Sequence, residues 1–130
     1  MIKAWGVMII EDDPDIAQLI VRVLSGMGHD LCSIEVDESN AVATALRCMP
    51  DFMIVDSWLR KGDGVSAVER ILRTLFIPHL FITNDSEGVR ERRPDAAIVQ
   101  KPFRIAELTR AIGSILHAEN VRRAMVTYDA

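Results

Sequence analysis

Four apolar residues, Phe52-Met53-Ile54-Val55, run straight into the carboxylate of Asp56, and an irregular loop from Ser57 to Gly64 follows. An apolar run of this length without alternation predicts a strand buried on both faces, as occurs inside a parallel sheet. Such a strand delivers its last residue to the carboxyl edge of the sheet, where open α/β folds bind ligands. That position suits Asp56 to chemistry rather than to solubility.

The remaining chain repeats the pattern. Trp5 to Ile10 is a second continuous apolar run and ends in Glu11-Asp12-Asp13. Pro14 then suits the first turn of a helix with Asp13 as its N-cap. Ile16, Leu19, Ile20, Val23, Leu24 and Met27 recur at helical spacing until Gly26 and Gly28 stop the run. His29 to Val36 reads as a weaker strand, with His29 as a turn residue. Glu38-Ser39-Asn40 opens a helix through Ala41, Val42, Ala45, Leu46 and Met49 that Pro50 ends. After the Asp56 strand, Val65, Val68, Ile71, Leu72 and Leu75 mark a third helix, and Pro78 to Thr83 a fourth strand. Asn84 to Pro94 is polar, with Val89 as its one apolar anchor, so a helix there is short and weakly attached. Ala96 to Gln100 is a fifth strand, and Ile105, Leu108, Ile112, Ile115 and Leu116 give the last helix, which the tail to Ala130 can extend. Five alternations of strand and helix call for a parallel sheet covered on both faces, with right-handed crossovers limiting the topology.

The length of 130 residues suits one domain with a proper core. A hydrophobic share of 49% beside 26% charged residues fits a soluble globular chain. No apolar run approaches the roughly 20 residues of a membrane span, and the first residues lack the pattern of a secretory signal. The net charge of −4 argues against a nucleic-acid surface. Cys32 and Cys48 lack metal spacing and are expected as reduced, buried thiols of a cytoplasmic protein.

Because parallel strands end on one side, Glu11, Asp12, Asp13, Asp56, Thr83 and Lys101 are expected to share one edge. Carboxylates within about 5 Å repel by roughly 3 kcal/mol per pair at an effective dielectric near 20. A raised pKa or a bound cation relieves this. Oxygen ligands without His or Cys suit Mg²⁺. Lys101 adds a point charge and Thr83 a hydroxyl donor. The set fits a carboxylate that accepts a phosphoryl group. Taken singly, each residue has a plainer reading: a helix cap and solvated acids at Glu11-Asp12-Asp13, a turn acid at Asp56, a surface lysine at Lys101. Their joint appearance at strand ends favours the functional one.

In order and spacing, Ile9-Ile10-Glu11-Asp12-Asp13-Pro14, Ile54-Val55-Asp56, Gly62-Asp63-Gly64, Phe81-Ile82-Thr83 and Lys101-Pro102-Phe103 resemble the receiver domain of bacterial two-component response regulators. The resemblance runs from about Val7 to Leu116. It implies a flavodoxin-like, doubly wound five-stranded parallel sheet with a shortened fourth helix, residues 1–119 forming the receiver and 120–130 a tail or an extension of the last helix. It implies Asp56 as phosphoacceptor and Mg²⁺ held by Glu11, Asp12, Asp56 and the backbone carbonyl of Trp58. Thr83 would turn toward the phosphoryl group and Lys101 would pair with it, with a cis bond before Pro102. The donor would be a histidine kinase or a histidine phosphotransfer protein, and the output a protein contact rather than nucleic-acid or membrane binding. The chain would act as a signalling phosphoacceptor that catalyses its own phosphorylation and dephosphorylation, not as a conventional enzyme.

Two departures stand out. The interval from Thr83 to Lys101 is shorter than the family's usual one, and Ile98 stands where a switch aromatic is usual, which puts the ordinary coupling in question. Pro78-x-x-Phe81-x-Thr83 also resembles stand-alone alphaproteobacterial receivers, although Asn84 replaces the glycine expected there. The rival reading is a phosphorylation-independent interaction module of the same fold. Trp58 either covers the third helix or screens the phosphoryl group from water, and Asp85 borders the same path.

Overall fold

The computed structural model describes residues 4–129. Its elements are β1 (Gly6–Ile10), α1 (Pro14–Gly26), β2 (Asp30–Glu35), α2 (Glu38–Cys48), β3 (Phe52–Asp56), α3 (Gly64–Leu72), β4 (His79–Thr83), α4 (Ser86–Arg92), β5 (Ile98–Gln100) and α5 (Ile105–Asp129). The strands form one sheet in the order β2-β1-β3-β4-β5, with every pairing parallel. This is the flavodoxin-like order, in which the direction of winding reverses between β1 and β3.

The central strands are apolar along their middles because both of their faces are covered. Val7, Ile9, Phe52, Ile54, Leu80 and Ile82 pack with Ile20 and Leu24 of α1 and Leu108 and Ile112 of α5. Met8, Ile10, Met53, Val55 and Phe81 pack with Ala41 and Ala45 of α2, Val68 and Ile71 of α3, and Val89 of α4. Asp13 caps α1 through the N–H groups of Asp15 and Ile16, as expected for an acid preceding Pro14. Asp37 rather than Glu38 caps α2. Among the described residues, no helix is long and apolar enough to cross a membrane.

Several expectations need correction. Cys32 and Cys48 are exposed rather than buried. The first lies on β2, an edge strand with one flank open, and the second ends α2. Helix α3 stops at Leu72, and Leu75 packs against the core from the loop beyond it. Strand β5 begins at Ile98, two residues after Ala96. Helix α4 is indeed short, seven residues with only Val89 buried. Helix α5 continues through the tail to Asp129.

Candidate functional site

The carboxyl ends of β1 and β3 stand side by side, since Ile10 pairs with Val55. The residues that follow them, Glu11 and Asp12, therefore meet Asp56, the last residue of β3. One carboxylate oxygen from each of the three lies within 4.8 Å of the others. Lys101 arrives from the end of β5, where its N–H bonds to the Thr83 carbonyl at 2.7 Å. Its Nζ lies 3.1 Å from Glu11 Oε1 and 3.2 Å from Asp56 Oδ2. The peptide bond joining Lys101 to Pro102 is cis.

The backbone orders the acids further. Asp56 Oδ1 accepts the N–H of Trp58 at 3.1 Å, and Asp12 Oδ2 accepts that of Arg60 at 2.7 Å. The loop carrying both donors is held by Glu38, which accepts the Asp63 N–H at 2.9 Å and the Arg70 guanidinium at 3.0 Å. Gly62 sits in the left-handed region at φ +89°. Gly64 has no room for a side chain, because a Cβ there would be driven into the Asp56 carbonyl oxygen.

Glu11 is 2% exposed. Burial, and then the hydrogen bond and charge of Asp56, push its pKa up to about 7 against the opposing pull of the Asp13 N–H and Lys101. Burial alone would lower the pKa of Lys101, but the charges of Glu11 and Asp56 outweigh it and hold the ammonium above the ordinary lysine range. The site thus confines more negative charge than one ammonium neutralises. Its ligating groups are all hard oxygens, the donor set that suits Mg²⁺.

These groups line an open cleft of about 490 Å³, to which Asp13, Ile16, Trp58 and Asn84 also contribute. Trp58 is 78% exposed, so its indole does not cover α3. Thr83 is wholly buried, and its hydroxyl lies 2.6 Å from that of Ser57. Ser57 is not among the residues expected from the sequence, although a small hydroxyl residue directly after Asp56 is a local signal. Asn84 is likewise a cleft residue that the sequence does not announce. A second cleft, of about 410 Å³, lies at the amino ends of β4 and β5 beside Phe76, His79 and Arg122. Among the described residues, Glu11, Asp12 and Asp56 are the group placed to share a metal ion.

A doubly wound sheet with three acids and a lysine at its switch point defines a class of signalling domain. The match to the response regulator receiver domain model, over residues 7–113, makes the family plain: this chain belongs to it, and so to two-component signalling. The chain is 30% identical over 131 residues to the phyllosphere-induced regulator PhyR of Methylorubrum extorquens, covering 98% of this chain and 49% of that relative. It is 31% identical over 110 residues to the transcriptional regulatory protein PdtaR of Mycobacterium tuberculosis, covering 82% and 54% respectively. The chain therefore spans about half the length of the curated relatives it matches. Among solved structures, the response regulator PhyR from Brucella abortus superposes with a TM-score of 0.90 at 30% identity, over 98% of this chain and 54% of that one. The REC domain of Erythrobacter litoralis PhyR superposes at 0.81 with 28% identity, over 88% and 91%.

Proposed function

We propose that Asp56 accepts a phosphoryl group from a phosphohistidine of a histidine kinase or phosphotransfer protein, and that the resulting change of conformation is read by a protein partner in the cytoplasm. The observation that carries this reading is the convergence of Glu11, Asp12, Asp56 and Lys101 from three strand ends onto one open cleft. A carboxylate oxygen of Asp56 attacks phosphorus, the P–N bond breaks, and the imidazole leaves with its electron pair, so that an acyl phosphate forms.

Glu11, Asp12, Asp56 and the Trp58 carbonyl would hold Mg²⁺. Bound there, it supplies positive charge against the phosphoryl oxygens in a loose transition state. Lys101, already 3.2 Å from Asp56, places its ammonium to neutralise charge on the incoming phosphoryl oxygens. The Trp58 N–H fixes the Asp56 carboxylate so that it does not turn away from the cleft. Thr83 donates its hydroxyl to the transferred group once it is in place. Water later cleaves the acyl phosphate at the same cleft, returning Asp56 to its carboxylate. The net charge of −4 supports a protein partner over nucleic acid.

The test is incubation of the whole chain with Mg²⁺ and acetyl phosphate, followed by intact mass measurement. One added phosphate in the wild type and none in Asp56→Asn is expected. Persistent absence of phosphate, with a histidine kinase tried as donor too, would overturn the reading in favour of a phosphorylation-independent interaction module. Ile98 and the short α4 are the features that rival would rest on.

A further inference from the structure

Ser57 follows the candidate phosphoacceptor directly, and its hydroxyl lies 2.6 Å from that of Thr83, the last residue of β4. The Thr83 oxygen also accepts the N–H of Asp85 at 2.9 Å. A hydroxyl has one proton to give and two lone pairs. Ser57 is only half-buried, whereas Thr83 is wholly buried. If Ser57 donated, the Thr83 proton would need a further acceptor inside the core, and leaving it without one is costly. Burial therefore favours Thr83 donating to Ser57 while it accepts from Asp85.

Asp85 is the N-cap of α4. Its carboxylate accepts the Gly88 N–H at 3.0 Å, and its carbonyl accepts the Val89 N–H at 3.3 Å. One side-chain oxygen therefore joins the residue beside Asp56 to the first turn of a helix with a single buried side chain.

We propose that Ser57 is a positioning residue that keeps the Thr83 hydroxyl committed until Asp56 carries a phosphoryl group, and that Asp85 passes its release to α4 through the backbone. This rests on the reading of Asp56 as phosphoacceptor. A phosphoryl oxygen competes with Ser57 for the one Thr83 proton, and the charged acceptor makes the stronger bond. As Thr83 turns, the Asp85 N–H loses its acceptor and the capped turn of α4 loosens. Ile98, paired with Phe81 and packed against the core on the α4 side, has no ring to rotate. The polar chain from Ser57 to Asp85 does in this molecule what a moving side chain at position 98 would otherwise do.

Backbone amide exchange on the full chain, with and without acetyl phosphate and Mg²⁺, tests this. Without phosphate, Ser57→Ala is expected to speed exchange across Ser86–Arg92 about three- to tenfold, the worth of one hydrogen bond. Exchange in β1 and β3 should stay unchanged, which separates the effect from general loss of stability. Ser57→Thr, which keeps the hydroxyl, should match the wild type, and Ser57→Ala should add nothing in a Thr83→Val background. Phosphorylated wild type should approach unphosphorylated Ser57→Ala. Unaltered α4 exchange in Ser57→Ala, or a Ser57→Thr variant behaving like Ser57→Ala, would sink the proposal. Wild type that is phosphorylated while α4 ignores Ser57→Ala overturns the role of Ser57 alone. Wild type that takes up no phosphate from any donor overturns the reading of Asp56, and the switching half of the proposal with it.

Discussion

At His79, which opens β4, burial lowers the imidazole pKa below the ordinary value of 6.5, and the charge of Arg93 adds to the effect against the Ile77 hydrogen bond. The Nδ1 and the Ile77 carbonyl are 2.8 Å apart, so the neutral ring donates there, and its edge meets Phe81 at 5.4 Å. The unfolded chain therefore takes up a proton at higher pH than the folded one. The resulting stability is fully present above pH 6.5 and is lost as pH falls below that value toward the folded pKa. Urea unfolding at about pH 7.5 and about pH 5.5 should show a larger loss for wild type than for His79→Asn. Equal losses would mean that the buried neutral ring is not the cause. At this scale the sequence was partly readable. Glu11, Asp12, Asp56 and Lys101 were visible as strand-end residues, because an apolar run announces where it stops. The bond from Ser57 to Thr83 was not visible, because it spans 26 residues and depends on which strands are neighbours.

Among the helices, α4 is the one held least by apolar packing. Val89, at 2% exposure, is its only buried side chain. Arg92 adds polar ties, bonding Asp63 at 2.7 Å, Glu69 at 2.8 Å and the Ser66 hydroxyl at 2.9 Å. Asp63 also caps α3, so the guanidinium ties α4 to the loop that follows Asp56. Exposed ion pairs contribute only about 0.2–1 kcal/mol each. Arg92→Ala should therefore lower global stability by about 1 kcal/mol while raising amide exchange in α4 far more than elsewhere. Unchanged α4 exchange would show that Arg92 does not brace the helix. The weakness of this segment followed from its composition, since a single apolar anchor is a local property. Its partners on α3 lie 23 to 29 residues away and carry no local signal. Cys32 misled for a related reason: an apolar stretch gives no sign that its strand lies at an edge.

Across the whole molecule, α5 reaches back past the sheet. Arg123 stacks 4.5 Å from the Trp5 ring and lies 3.0 Å from Glu119 and 4.0 Å from Asp51. Glu119 is 5% exposed, and the hydrogen bonds of Arg122 and then Arg123 hold its carboxyl below the usual range. Beyond it, Val121, Met125 and Val126 are exposed. A chain of residues 1–119 should still unfold cooperatively, with a Tm lower by about 5–10 °C because Glu119 loses both guanidinium partners and Trp5 loses the stacked Arg123. Glu119→Gln in that short chain should recover part of the loss in a thermal melt. Failure of the short chain to fold would place residues 120–129 inside the domain.

Periodicity and run length are properties of neighbouring residues, so the sequence by itself determined the alternation of strand and helix, the two covered faces and the edge on which Glu11, Asp12, Asp56 and Lys101 meet. Strand order and helix docking join residues far apart along the chain. Only the tertiary structure could decide that Thr83 faces Ser57, that Arg92 braces α4 against α3, and that Cys32 lies on an open flank.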